Sequence, residues 1–193
     1  DVSHMGKVRV SGPGAADFVN SCFTNDLKRI EPGKAQYTMC CAPDGGVIDD
    51  LIQYLRSDED VLLVPNASNA TEVAELLTAE AADRAPGVTV SDEHTQHGII
   101  AVQGPKADEV MAELGLPTHH PDFMSFLDAQ WEGHEVVVCR SGYTGEKGYE
   151  IICPWDVTPA LWEALVAAAE RQAAGVVDEE TALRLTPKQR RGS

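Results

Sequence analysis

The sequence predicts an α+β fold with mixed, mainly antiparallel sheets and flanking helices. Segments that alternate apolar and polar residues, a pattern typical of half-buried strands, recur along the chain, and segments with apolar residues at helical spacing lie between them. Two strand-like segments flank a pair of glycines, which favours a hairpin and therefore antiparallel pairing. With 193 residues and a hydrophobic content of 43%, the chain can bury a core without metal or disulfide crosslinks.

The first half of the chain predicts the order strand, helix, strand, strand, strand, helix. "GKVRVSGP" alternates as a strand does, and "PGAADFVNSCF" is typical of a helix with Pro13 near its first turn. "KAQYTMCCA" and "VIDDLIQYL" form the predicted hairpin around the glycines of "PDGG", and the apolar run "DVLLVPNAS" follows. In "NATEVAELLTAEAADRA", Asn69 can cap a helix and Glu72 can complete a capping box.

The second half continues the alternation of strand and helix patterns. "GVTVSDE", "HGIIAVQGP" and "KADEVMAELGL" come first. "HEVVVCRSG" and "GYEIICPW" then predict two more strands. "TPALWEALVAAAERQ" predicts a closing helix with Thr158 at its cap and Pro159 at its first position.

The excess of acidic residues argues against nucleic acid as a partner. The chain has 31 acidic and 15 basic side chains and a formal net charge of −16, which opposes the counterion release that drives proteins onto DNA or RNA. The acids lie on presumed helix faces such as "TEVAELLTAEAAD", which fits adaptation to high salt and equally fits an ordinary acidic surface.

The sequence predicts a cytoplasmic protein with no membrane segment. No apolar run approaches the roughly 20 residues that span a bilayer, and "DVSHMGKVRV" lacks the basic and hydrophobic regions of a leader. The five cysteines are odd in number and form no C-x-x-C, which argues against a disulfide framework and a zinc site. The pairs His94 with His97 and His119 with His120 lie in polar connecting sequence without a recognised ligand spacing, so we predict no metal site.

Two adjacent aspartates in "VIDDLIQY" are the first candidates for chemistry. The strand period of two places Asp50 on one face with Ile48, Ile52 and Tyr54, and Asp49 on the other face with Gln53. We therefore expect apolar neighbours to desolvate Asp50, which favours a role in acid–base or electrostatic catalysis, whereas Asp49 could be solvated. In the alternative, which spacing alone favours, both carboxylates have a structural role in the turn at Gly45 and Gly46 and no role in catalysis.

Glu150 is the second candidate, because glutamate is depleted from strands and rarely buried without a partner. In "RSGYTGEKGYEIIC" it enters an apolar strand after three glycines that allow close approach of the backbone. If it is buried, its donors could be an arginine or a flat heterocycle with adjacent N–H groups. In the alternative, which is the more common arrangement, a glutamate at a strand edge faces water.

Together these segments resemble a known family, the aminomethyltransferase, or T-protein, of the glycine cleavage system. The resemblance rests on "DVSHMGKVRVSGPGA", "TND", "GKAQYTMCCAPDGGVIDDLIQY", "VPNASN", "IAVQGPKA" and "RSGYTGEKGYEI", in that order. It implies binding of tetrahydrofolate and transfer to it of the aminomethyl group carried by the lipoyl arm of the H-protein, with release of ammonia. We therefore expect tetrahydrofolate as co-substrate and lipoylated H-protein as partner.

The resemblance also implies the roles of individual residues. It matches Asp50 to the family's catalytic aspartate and Glu150 to its pterin-binding glutamate. Asp50 would help position and activate the attacking folate nitrogen. The remaining positions implied to contact folate or line its cavity are Tyr143, Asn66, Tyr37, Tyr54 and Met5.

The resemblance departs from the family pattern near the C-terminus. A family segment of the type "GLGARDxxRLE" supplies an arginine and an aspartate to the folate site, but alignment of "LRL" places Glu180 and Thr181 there, and only Arg184 matches. The family's usual N-terminal segment and C-terminal region also fall outside the sequence. We therefore expect residues 1–193 to form a folate-binding core, a fragment of the family architecture.

Other functions stay open. One alternative is a non-catalytic fragment or paralogue that binds folate or H-protein. Another is a relative on the same folate scaffold, such as the folate domain of dimethylglycine and sarcosine dehydrogenases. A folate-dependent iron–sulfur repair protein is disfavoured, because its "KGCYxGQE" signature is replaced here by "SGYTGEKGYE".

Overall fold

Two antiparallel β-sheets that face each other organise the chain. A computed structural model describes residues 1–118 and 122–189. The strands of the first sheet come from the first 92 residues, and those of the second sheet come from the later part of the chain. The helices in the described ranges are α1 (Ala15–Cys22), α2 (Ala70–Arg84), α3 (Ala107–Glu113) and α4 (Thr158–Gln189).

The first sheet has the strand order β2-β3-β4-β1-β5, with every neighbouring pair antiparallel. Its central feature is the β2–β3 hairpin, whose turn contains the glycine pair at 45 and 46. The strands are β1 (Val8–Ser11), β2 (Lys34–Cys41), β3 (Val47–Ser57), β4 (Asp60–Val64) and β5 (Thr89–Asp92).

The second sheet has the order β6-β9-β8-β7 and is also antiparallel throughout. Its strand β9 lies between β6 and β8, so both of its edges are paired. The strands are β6 (His97–Gln103), β7 (Phe126–Trp131), β8 (His134–Cys139) and β9 (Gly148–Pro154).

Three apolar clusters hold these layers together. One packs the first sheet against α1 and α2, and another packs the second sheet against α3 and α4. The third, which we call the inter-sheet cluster, joins the inner faces of the two sheets. Its buried members are Ala35, Tyr54, Leu62, Val64, Ile99, Phe126, Cys139 and Ile152. Burial of this apolar surface fixes how the sheets, and therefore their polar side chains, face each other.

The structure confirms the α+β class and most of the predicted elements, but some details differ. Strand β7 was not predicted. Pro13 precedes Gly14, the residue that caps α1, and therefore lies outside the helix. Thr158 is the first residue of α4, not the residue before it, and its hydroxyl donates to the Pro154 carbonyl at 3.0 Å. The closing helix also extends beyond the predicted segment to Gln189.

No helix in the described ranges combines the length and apolarity needed to cross a membrane. Some of the positions considered above cannot be placed. His119 and His120 lie outside the described residues, and so do the side chains of Glu180, Thr181 and Arg184.

Lys7 is a buried cation at the start of the first sheet. Its side chain is fully enclosed, and its Nζ donates to the Ser3 carbonyl at 2.8 Å. Burial lowers the pKa of this amine from 10.5 to about 8, an effect that Asp92 and Cys153 partly oppose. The folded chain therefore disfavours the ammonium form that the unfolded chain retains.

A pH dependence of stability follows from this lysine. Between about pH 8 and 10.5 the unfolded chain binds more protons at Lys7 than the folded chain, so this group makes the fold more stable as pH rises. We expect the unmodified chain to gain free energy of unfolding relative to Lys7→Met across that window. Urea unfolding of both chains at several pH values measures the difference, and parallel pH profiles would contradict the prediction.

Candidate functional site

Asp50 lies on the inner face of β3, the face directed toward the second sheet, near the hairpin turn. Ile52 and Tyr54 follow on the same face and pack in or against the inter-sheet cluster, which confirms the predicted alternation for these residues. Ile48, predicted on the same face, packs instead against the cluster beneath α1 and α2, because the ladder with β2 is irregular at Cys40 and Cys41. Asp50 itself is exposed, and its cross-strand partner Met39 is 42% exposed. The expectation that apolar neighbours desolvate Asp50 is therefore wrong, because the hairpin extends beyond the inter-sheet cluster before it reaches this residue.

Asp49 lies on the opposite, helix-facing side of β3 and is only 2% exposed. Its Oδ2 accepts the backbone N–H of Asn66 at 3.0 Å, and its Oδ1 accepts the Nδ2 groups of Asn66 at 3.0 Å and Asn69 at 2.7 Å. The expectation of a solvated Asp49 is wrong, because amide donors replace water around this carboxylate. Gln53, the other polar residue on this face, is fully buried.

Asn66 connects the two aspartates. It lies two residues after the end of β4 and caps the 3-10 turn Ala67–Asn69. The Nδ2 group that contacts Asp49 also donates to the Asp50 carbonyl at 2.7 Å and lies 3.4 Å from Asp50 Oδ1. The segment after β4 therefore contacts β3 at the point where the two carboxylates diverge to opposite faces.

Glu150 is half-buried in β9, opposite Ala101 of β6 and Cys139 of β8. The buried Ser141 hydroxyl donates to Glu150 Oε2, and the Tyr54 hydroxyl lies 3.5 Å from Ser141 Oγ. Burial raises the pKa of Tyr54 well above its ordinary value, so this phenol stays neutral. Among the described residues, the donor to Glu150 is thus a serine, and the contact between Tyr54 and Ser141 connects this pair to the first sheet.

Tyr37 shares the inner face of the first sheet with Asp50. It is paired with Ile52 in the β2–β3 ladder and is 45% exposed. Burial raises the pKa of its phenol, and Glu150, Tyr143 and Asp50 add to the rise in that order. Tyr37 is therefore a residue of the inner face whose ionisation both carboxylates oppose.

The two other positions implied by the resemblance differ in environment. Tyr143 is 97% exposed, so the folate contact assigned to it stays a prediction. Met5 is half-buried and packs against the inter-sheet cluster, and its carbonyl lies 3.1 Å from His94 Nδ1. Met5 therefore lies beside the inter-sheet cluster, whereas Tyr143 lies on the exposed loop between β8 and β9.

Two of the glycines before Glu150 lie against the side chain of Gln103. A Cβ atom at Gly142 or at Gly148 would overlap the side-chain amide of Gln103. That amide donates to the carbonyls of Ser141 at 3.1 Å and Tyr149 at 2.9 Å. The glycines thus allow the close approach of the backbone that the sequence predicted, and the group approached is a side chain of this protein.

Sequence reasoning missed Asn69, Ser141 and Gln103 as parts of the site. A signal existed for two of them. Asn69 lies three residues after Asn66 in "PNASN", a concentration of amides just after an apolar strand, and Ser141 opens the same glycine-rich stretch as Glu150. Gln103 carried no such signal, because its partners, Ser141 in the loop after β8 and Tyr149 in β9, lie 38 and 46 residues further along the chain.

The resulting arrangement suits an aromatic ligand with N–H donors. Glu150 uses one carboxylate oxygen for Ser141, and an ionised carboxylate has several further acceptor positions. Tyr37 and Met39 add exposed aromatic and thioether surface on the same side of the hairpin, next to Asp50. The inner face therefore offers hydrogen-bond acceptors at two points and apolar surface between them.

A family model described as "GCVT N-terminal domain" matches residues 1–184. Curated relatives agree with it. An aminomethyltransferase of Frankia alni is 60% identical over 170 residues, which is 88% of this chain and 46% of the relative. An aminomethyltransferase of Mycobacterium leprae is 53% identical over 168 residues, which is 87% of this chain and 45% of the relative. The chain spans less than half the length of these relatives.

Two solved structures share the fold. The glycine cleavage system aminomethyltransferase T from Bartonella henselae superposes with a TM-score of 0.78 at 32% identity, covering 86% of this chain and 44% of that one. A heterotetrameric sarcosine oxidase from Corynebacterium sp. U-96 superposes with a TM-score of 0.62 at 11% identity, covering 87% of this chain and 80% of that one. The second similarity concerns the fold alone.

Asn69, the residue before α2, could serve either to cap the helix or to donate a hydrogen bond to Asp49, and the two roles can be distinguished by mutation. The side chain makes no capping hydrogen bond, although the residue occupies the predicted position. It donates instead to the buried Asp49 carboxylate. If Asn69 were a cap, aspartate would replace it without loss, since the two residues cap equally well.

We expect Asn69→Asp to destabilise the fold, because it places a second carboxylate against Asp49, and to do so more than Asn69→Ala. A loss of about 1–3 kcal/mol is expected for the alanine variant, which leaves a buried acceptor without one donor. Urea unfolding of the three chains at pH 7 checks the order. Equal stability of Asn69→Asp and the unmodified chain would support capping instead.

Proposed function

The chain belongs to the family described as GCVT N-terminal domain, and from this premise we propose that the protein acts as an aminomethyltransferase of glycine cleavage. It transfers the aminomethyl group from lipoylated H-protein to tetrahydrofolate and releases ammonia. The single observation that carries the proposal is that Asp50 and Glu150 lie on the facing sides of the two sheets, where Glu150 is connected through Ser141 to Tyr54 on the face that Asp50 shares. Curated relatives with the name aminomethyltransferase support it.

Glu150 is proposed to bind the pterin ring of tetrahydrofolate. A pterin presents adjacent N–H donors along one edge, and a carboxylate accepts such a pair with charge-assisted hydrogen bonds. Ser141 holds Oε2 of Glu150, which limits rotation of the carboxylate and leaves acceptor positions on both oxygens. The half-buried environment strengthens these hydrogen bonds relative to water.

Asp50 is proposed as the catalytic residue. It lies on the same inner face as Tyr37 and Tyr54, close to the exposed end of the hairpin, where a donor arriving from a partner protein could reach it. Its carboxylate would orient the attacking folate nitrogen through a hydrogen bond and stabilise positive charge as the new bond to carbon forms. Exposure of Asp50 in the chain alone means that bound substrate has to exclude water there.

The remaining residues are proposed to line the folate cavity. Tyr37 and Tyr54 border the space between the carboxylates, and Asn66 contacts Asp50 directly. Tyr143 and Met5 are proposed contacts at the rim and at the inner wall. On this proposal residues 1–193 form a folate-binding core, and lipoylated H-protein in the cytoplasm is the partner that delivers the aminomethyl group.

A second candidate function is a non-catalytic module that binds folate or H-protein. The observation that favours it is the exposure of Asp50 in a chain that spans less than half the length of its curated relatives. Binding without transfer would identify this alternative. Detectable aminomethyl transfer by the chain would exclude it.

Titration calorimetry with tetrahydrofolate tests the binding role of Glu150. We expect saturable binding by the unmodified chain and a loss of affinity of about 10- to 100-fold in Glu150→Gln, since an amide cannot accept the same pair of charge-assisted bonds. Glu146→Gln, at an exposed position four residues earlier in the same stretch, is the matched control and should bind normally. Equal affinities of all three chains would refute the pterin-binding role.

Replacement of Asp50 tests the catalytic role. We expect Asp50→Asn to lower kcat for aminomethyl transfer by about 100-fold or more and to change the Kd for tetrahydrofolate by less than about threefold, because the residue acts mainly on the reacting atoms. Single-turnover kinetics with aminomethylated H-protein and calorimetry on the same sample give the two values. Losses of similar size in kcat and affinity would show that Asp50 only binds folate.

A further inference from the structure

Asp49 is a buried carboxylate whose presence needs an explanation. An ionised side chain with 2% exposure is costly to fold unless donors surround it, and an apolar residue would serve the helix-facing side of β3 at no such cost. Its donors are amide groups of Asn66 and Asn69. The chain thus maintains a polar network directly behind the proposed catalytic residue.

The network fixes the orientation of the Asn66 side chain. An ionised carboxylate accepts hydrogen bonds and donates none, so the Asn66 group that faces Asp49 has to be the NH₂ group. The backbone N–H of Asn66 donates to the same carboxylate at 3.0 Å. Asn66 is therefore held at its main chain and its side chain by one residue.

The same NH₂ group reaches Asp50. It lies 2.7 Å from the Asp50 carbonyl and 3.4 Å from Asp50 Oδ1. Asp50 is exposed and Met39 beside it is 42% exposed, so neighbouring side chains restrict the rotation of its carboxylate only weakly. The two protons of the NH₂ group point to Asp49 Oδ1 and the Asp50 carbonyl, and the longer contact to Asp50 Oδ1 shares one of them. Within the described residues, Asn66 is the side-chain donor in contact with the Asp50 carboxylate.

We propose that Asp49 is a positioning residue, which orients the Asp50 carboxylate through Asn66. The effect of this positioning on the rate of aminomethyl transfer rests on the proposed function. Transition-state stabilisation requires a carboxylate held close to its productive geometry, and small misplacement is costly for the rate. The pair of adjacent aspartates then divides two tasks between two faces of one strand, with Asp50 facing the substrate and Asp49 supporting it from behind.

The experiment measures the side-chain conformation of Asp50 directly. In the 193-residue chain, three-bond couplings between Hα and the two Hβ protons report whether Asp50 occupies one χ1 rotamer or several. Asp49→Asn keeps the shape of the side chain but places an NH₂ group against one of the N–H donors. Asn20→Ala is the matched control, because it also removes a side-chain acceptor of a backbone N–H, that of Leu27 at 2.6 Å, and that bond involves neither Asp49 nor Asn66.

We expect a single dominant Asp50 rotamer in the unmodified chain and in Asn20→Ala, and averaged couplings in Asp49→Asn. Couplings that are unchanged in a folded Asp49→Asn, or are averaged already in the unmodified chain, would overturn the proposal. If Asp49→Asn does not fold, Asn66→Ala takes its place with the same two outcomes, since it breaks the connection from the other side.

A kinetic measurement on the same variants separates this proposal from the proposed function. We expect Asp49→Asn to lower kcat about tenfold or more with little change in KM for tetrahydrofolate, and Asn20→Ala to change neither. A rise in KM alone, or equal losses in both variants, would show a merely structural role. If the unmodified chain transfers no aminomethyl group, the proposed function fails, whereas the rotamer result still decides whether Asp49 positions Asp50.

Discussion

Strand β3 packs against the helices on one face and toward the second sheet on the other, and the positions of the candidate site residues depend on which side chains lie on each face. Its helix-facing side carries Leu51 into the core beneath α1 and α2, and its inner side carries Tyr54 into the inter-sheet cluster. Because alternate side chains of a strand leave on opposite faces, a shift of one residue would exchange these environments. Pairing with β2 and β4 on either side fixes the register, and with it the separate positions of Asp49 and Asp50.

The sequence was sufficient to predict the order of most elements, the hairpin and the side of the strand on which each aspartate lies. It was not sufficient to predict burial. Alternation specifies faces but not how far an opposing layer extends, so Asp50 lies beyond the inter-sheet cluster whereas Asp49 is enclosed. The polar character of Gln53 suggested a solvated face, yet this residue is fully buried. Tertiary contacts determine how deeply these side chains are buried. Because such contacts join residues that are distant in sequence, the local pattern does not predict them.

Local rules also failed where a residue was used for a distant contact. Asn69 stands where a cap is expected but is directed to Asp49, and the glycines at 142 and 148 accommodate Gln103. In both cases a side chain satisfies a buried polar group elsewhere in the chain, a demand that propensity alone does not contain. These departures from local rules cluster around the two carboxylates, which is where a functional site is expected to conflict with local preference.

The pairing of Glu150 with Cys139 affects the chemical durability of the site. Cys139 is completely enclosed, and burial together with the nearby Glu150 charge raises the pKa of its thiol far above the ordinary value. Oxidants and electrophiles attack the thiolate, which this environment suppresses. A sulfur atom next to the proposed pterin-binding residue is thus kept in a form that resists sulfenic acid formation and alkylation while the two sheets stay packed.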